Sequence, residues 1–103
     1  MTQHITLPVH RMEQIKVNKR GGALNKGHIN INLGPLHIIS SNTDQMMEVN
    51  VNTVLYTKMK NVEFKDVEAC GYFYHSELIE AFRRDGKDVN ENTEVTVLRF
   101  TRD

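Results

Sequence analysis

The chain has 103 residues, and its 13 Lys and Arg balance its 13 Asp and Glu. That length suffices for one modest core, so a single domain over residues 1–103 is expected, and a quarter of charged residues is the balance of an ordinary globular chain. Zero net charge excludes a whole-face nucleic-acid footprint, and no apolar run approaches the roughly 20 residues that span a bilayer, so no membrane partner is expected.

The first residues, MTQHITLPVH, lack the basic start and apolar core of a signal peptide. HITLPV reads as a short entry strand, limited by Pro8, which has no N–H for a ladder. HRMEQIK fits one or two helical turns, with Met12 and Ile15 on one face. VNKRGGALNKG reads as a loop whose glycines allow positive φ and a close approach of backbone to ligand. HININL alternates, placing Ile29, Ile31 and Leu33 on one side of a half-buried strand. Gly34-Pro35 breaks it, and LHIIS resumes as a short strand.

MMEVNVNTVLYTKM is the longest strand signal. Met47, Val49, Val51, Thr53 and Leu55 share one face. Glu48, Asn50 and Asn52 share the other, until Val54 and Tyr56 make that face apolar too. VEFKDVEAC reads as a short helix stopped by Gly71. HSELIEAFRR carries Leu78, Ile79 and Phe82 at helical spacing and ends at Asp85-Gly86. TEVTVLRF closes the chain as a strand that is apolar on both faces. The links between strands are too short for crossovers, so the strands are mostly antiparallel. The fold class is α+β: about five strands in a small curled sheet or barrel, with two or three short helices.

Three stretches carry a family resemblance: NKGHININLGPLHI, VNVNTVLYTKMKNVEFKDVEACGY and HSELIEAFRRDGKDVNENTEVTVLRF. Together they resemble the ASCH domain, a branch of the PUA-like fold, over roughly residues 11–101. The resemblance implies a pseudo-barrel with a cleft and a role on RNA or modified nucleosides. Some bacterial members hydrolyse acetylcytidine with a Lys, Thr and Glu set, and others are ribonucleases. Lys19 stands for the family lysine, but no Thr follows it before Thr43. The family acid falls on or beside Cys70, so the pattern speaks against hydrolysis.

The charge distribution adds a site. Residues 14–43 hold no acid but do hold Lys16, Lys19, Arg20 and Lys26, whereas residues 61–98 hold nine acids against four bases. A local basic loop on an acidic body fits an anionic ligand, or else is simply a solvated loop. Tyr72, Phe73 and Tyr74 either stack bases or plug the barrel, with plugging preferred and Tyr74 the one expected to be exposed. His28 lies near Lys26, and none of the five histidines has ligand spacing, so no metal and no cofactor are expected. Cys70 ends a helix whose terminal dipole disfavours a thiolate, which fits a small buried hydrophobe better than a nucleophile. A lone cysteine suits a reducing cytoplasm.

The leading expectation is an RNA- or nucleotide-binding module without catalysis. Its basic loop, with Lys16, Lys19, Arg20, Lys26 and His28, would hold phosphate. The cleft between that loop and the helix after Gly71, with Tyr74, would hold a base. The first alternative is a ribonuclease or nucleoside amidohydrolase using Lys19 and Glu68. The second is a phage or mobile-element inhibitor that binds a protein partner through the acidic half.

Overall fold

The structure is a computed structural model that describes residues 3–102. The elements run β1 (Gln3–Leu7), α1 (Val9–Asn18), β2 (Arg20–Lys26), β3 (Gly34–Ser40), β4 (Met46–Lys58), a 3-10 turn at Met59–Asn61, α2 (Phe64–Ala69), α3 (His75–Arg84) and β5 (Glu94–Thr101). The five strands form one sheet in the order β1-β3-β4-β5-β2. Three pairings are antiparallel, and β1–β3 is parallel, with α1, β2 and residues 27–33 as its crossover. The sheet curls into a half-barrel, and three α-helices complete the α+β fold.

β4 makes the curl. Its residues 46–51 pair with β3, and residues 50–58, apart from Asn52, pair with β5. Within the β5 pairing Asn52 is bulged, so Val51 lies opposite Phe100 and Thr53 opposite Arg99. A bulge adds a residue on one strand and sharpens its bend. It also reverses the alternation of side chains. Val49 and Val51 point into the core, but Leu55, which strict alternation places with them, is 39% exposed.

β5 serves two cores. Leu98 and Phe100 join Met12 and Ile15 of α1 with Leu36, Ile38, Val49 and Val51 in the first. Val95 and Val97 join Val67 of α2 and Leu78 and Phe82 of α3 in the second. The two-faced apolar pattern of this strand thus reflects helices packed on both its sides. α3 starts where the Glu77 carboxylate accepts the N–H groups of Phe73 and Tyr74, at 3.1 and 3.0 Å, which gives the N-cap residue and the one before it a partner.

Two expected elements trade places. The stretch expected to be a Gly-rich loop is strand β2, paired with β5 from Arg20 opposite Thr101 to Lys26 opposite Val95. Its glycines are packing positions, not hinges. A Cβ on Gly21 would stand 2.7 Å from Ile15 Cγ1, and one on Gly22 would stand 3.1 Å from the Ala69 Cβ. Absent side chains let α1 and α2 close on opposite faces of one edge strand.

The stretch expected to be a strand, residues 28–33, is irregular. Its N–H groups find side chains rather than a ladder: Ile29 donates to Thr96 Oγ1 at 3.0 Å and Asn32 to Gln3 Oε1 at 2.8 Å. Positive φ at Gly27 and Gly34, 78° and 109°, turns the chain at both ends. Ile29 and Ile31 still pack on the first core, whereas Leu33 is 64% exposed. Among the described residues no helix is long and apolar enough to cross a membrane.

Candidate functional site

An open cleft of about 950 Å³ lies at one end of the half-barrel. α1 forms one wall through Arg11, Gln14 and Asn18, and α2 forms the other through Lys65, Asp66 and Glu68. The floor is the start of β2, the end of β5 and the bulge of β4, with Arg20, Arg99, Asn52 and Thr53. Four cations and two carboxylates therefore share one cleft, in a chain whose net charge is zero.

The charges differ in what they are free to do. Arg99 donates from Nε and Nη2 to the two oxygens of Asp66, at 2.9 and 2.8 Å, in a bidentate pair. Asp66 is buried, and Glu63 Oε2 lies 3.6 Å from the same guanidinium. The hydrogen bond to Asp66 pushes the already high pKa of Arg99 further up, so its charge is permanent. Arg11 donates to the carbonyls of Gly22 and Ala69, the latter at 3.2 Å, which ties α1 to β2 and to the last turn of α2. Lys65 pairs with Glu63 at 3.3 Å at the surface. Arg20 is exposed and makes no ion pair among the described residues.

The residues singled out from sequence are separated by this fold. Arg20 and Glu68 line the cleft. Lys19 stands next to Arg20, exposed at the C-cap of α1, but is not part of the lining. It adopts φ 62, the left-handed conformation, and is the only non-glycine residue among those described to do so. Lys16 faces solvent beside Glu13, 3.3 Å away. Lys26 ends β2 six residues beyond Arg20, about 20 Å off at strand rise. His28 lies past that end, its ring 4.5 Å from the ring of Tyr56.

Of the three aromatics, Tyr72 packs on the second core. Phe73 and Tyr74 are both exposed, Phe73 the more so at 73% against 65%. None of the three lines the cleft, whose wall is α2, before Gly71, and not α3 after it. Cys70 is buried behind that wall as the C-cap residue of α2. Burial pushes its thiol up from the ordinary value of 9.0, with the nearby Arg11 opposing the shift.

Arg11, Asp66 and Arg99 were not singled out from sequence, whereas Asn52, on the polar face of the long strand, could be expected to read a base edge and does line the cleft. Asp66 and Arg99 are 33 residues apart and meet only because α2 folds back on β5. An acid within a short helix carries no local sign of such a partner.

No protein-family model matches the chain, and no curated protein matches its sequence. Among solved structures, protein EF3133 from Enterococcus faecalis V583, described under the family DUF984, is similar in fold. Its TM-score is 0.64 at 13% identity, over 90% of this chain and 67% of that one. At such identity the likeness shows the fold alone: a small domain with a curled sheet.

Proposed function

We propose that this protein is a PUA-like module of the ASCH type that binds RNA or a nucleotide at the α1–α2 cleft, without catalysis. The observation that carries the reading is the cleft itself, where the exposed Arg20 and the outer edge of the Asp66-paired Arg99 line open space beside the neutral polar groups of Asn18, Asn52 and Thr53. Guanidinium groups and backbone donors hold phosphate, and amides and hydroxyls pair with base edges. Lys19 adds support. A left-handed residue is usually Gly, because a Cβ costs about 1–2 kcal/mol there. Keeping lysine at that price beside Arg20 fits a functional cation at the cleft mouth.

The site favours binding over hydrolysis. Cys70, at the place where the resemblance puts an acid, is buried outside the cleft and held as a neutral thiol. Glu68 faces the cleft, but Lys19 is not in its lining to act with it. The free thiol fits a reducing compartment, the cytoplasm.

The test is a titration of the protein against a fluorescent single-stranded RNA and a mononucleotide at low salt, repeated as salt rises. Binding that weakens linearly on a log–log plot is expected, because phosphate contacts release counterions. Absence of binding to both ligands at low salt would overturn the reading.

A further inference from the structure

The α2 wall of the cleft carries two carboxylates, Asp66 and Glu68, and only one of them is engaged. Asp66 is buried, and Arg99 holds both its oxygens. Glu68 is exposed and has no ion-pair partner among the described residues. The helix explains the difference. At about 100° per residue, Ala69, Lys65 and Glu68 follow one another round α2 from Asp66, which faces the sheet. Glu68 therefore stands at the outer rim of the wall. Lys65, its neighbour there, is drawn to Glu63 at 3.3 Å. On the floor of the cleft Arg20 is likewise exposed and without an ion pair, so it is not joined to Glu68. The cleft thus offers a ligand one unengaged guanidinium and one unengaged carboxylate. A phosphate satisfies the first and is repelled by the second, so the part of a ligand that meets Glu68 must donate hydrogen bonds.

We infer that the cleft selects guanine, with the phosphate of a guanine nucleotide on Arg20 and the Watson–Crick edge of its base on the Glu68 carboxylate. This rests on the reading of the cleft as a nucleotide site and names the base that it takes. An ionised carboxylate only accepts hydrogen bonds, and its two oxygens suit two parallel N–H groups. Guanine alone of the four RNA bases carries two such donors side by side, N1–H and the N2 amino group. Adenine sets its N6 amino group beside the N1 acceptor, and cytosine sets its N4 amino group beside the N3 acceptor. In both, the second carboxylate oxygen would meet a lone pair. The single N3–H of uracil lies between two carbonyls. An unstacked base presents this edge freely, as in single-stranded recognition. The cleft, at about 950 Å³, lies at the upper end of the roughly 300–1,000 Å³ typical of small-ligand sites, so base, ribose and phosphate fit together.

The experiment titrates the unmodified protein with the 5′-monophosphates of guanosine, adenosine, cytidine and uridine at low salt. The guanine nucleotide is expected to bind about tenfold tighter than the other three, toward the low end of what a bidentate base contact discriminates. Inosine monophosphate, which lacks the N2 amino group, should fall between, and 1-methylguanosine monophosphate, whose N1 donor is blocked, should lose the advantage. These comparisons do not depend on any variant folding. Glu68→Gln, which offers one acceptor and one donor, should bring the ratio of guanine to adenine affinity close to one. Glu80→Gln, on the exposed side of α3 and away from the cleft, removes the same charge and should keep the ratio. Equal affinity for the four nucleotides, or a guanine preference that survives Glu68→Gln, overturns this inference while leaving the cleft reading in place. Binding of none of them, and of no RNA, overturns both.

Discussion

Arg99 and Asp66 face each other across the boundary between β5 and α2, with both carboxylate oxygens engaged at 2.9 and 2.8 Å. Asp66 is 4% exposed, so its charge is out of water and depends on this partner. The pair fixes α2, only six residues long and too short to be stable alone, against the sheet. It also aims the guanidinium edge that is left over into the cleft.

Asp66→Asn is therefore expected to destabilise the protein by about 2–3 kcal/mol, because it leaves a partly buried guanidinium facing an amide. Asp66→Ala should cost at least as much. Chemical denaturation of both variants measures this. A change below the error of the midpoint in each would mean that water replaces the carboxylate without loss.

The glycines of β2 give a second expectation. Gly21→Ala places a Cβ 2.7 Å from Ile15 Cγ1 and 2.9 Å from Phe100 Cε1, so α1 must move outward. Overpacking of this kind costs about 1–3 kcal/mol. Ile15→Ala removes the nearer of the two atoms in the way but opens the first core. The double variant should thus be less destabilised than the sum of the two single changes, by double-mutant cycle. Strict additivity would show that Gly21 is needed for its backbone and not for its lack of a side chain.

These two regions mark where sequence and structure part. α3 was legible because Leu78 and Phe82 repeat at helical spacing and both are buried. β5 was legible because Val95, Val97, Leu98 and Phe100 leave no polar face to meet solvent. The helix ending at Cys70 was legible from its glycine stop. β2 was not, because Gly-Gly is the sign of a turn when read locally and of close packing only once α1 and α2 are in place. Residues 29–33 carried a strand's alternation, yet the neighbours that decide their hydrogen bonds, Gln3 and Thr96, are distant in sequence. In the cleft, Arg20 and Glu68 were picked out by charge and motif. Asp66 and Arg99 were not, since an ion pair across 33 residues leaves no periodic trace.

Cys70 yields a pH expectation. Burial raises its thiol pKa above the ordinary 9.0, so the native state keeps a proton that the unfolded state releases. The contribution is fully present below about pH 8.5 and is lost as pH rises through the folded value. The melting temperature of the unmodified protein should fall more steeply between about pH 8 and pH 10 than that of Cys70→Ala. Native protein should also react slowly with a thiol reagent at neutral pH and rapidly in denaturant. Cys70→Ala should leave RNA binding unchanged. Rapid native labelling, or parallel pH profiles for the two proteins, would remove the buried-thiol account.

The mouth of the cleft gives the most direct contrast. Lys19 and Arg20 lie together at the junction of α1 and β2, and Arg20 lines the cleft. Arg84 and Lys60 are also exposed but lie away from it. Arg83 is a poor control, because its Nε donates to the Val89 carbonyl at 3.0 Å and its loss would loosen the fold. Replacing Lys19 and Arg20 by Ala, or Lys60 and Arg84 by Ala, removes the same charge from the chain. If the cleft holds phosphate, the first pair should weaken RNA binding and flatten the salt slope by about one for each phosphate no longer neutralised. The second pair should leave the slope nearly unchanged. Lys19→Gly separates stability from binding at one position: at φ 62, glycine should stabilise the protein by roughly 0.5–1 kcal/mol while weakening RNA binding. A lysine kept only as a helix end would give the gain in stability with no loss of affinity. Equal losses from the two charge pairs would mean that RNA reads bulk charge, and the cleft would then have no special claim on it.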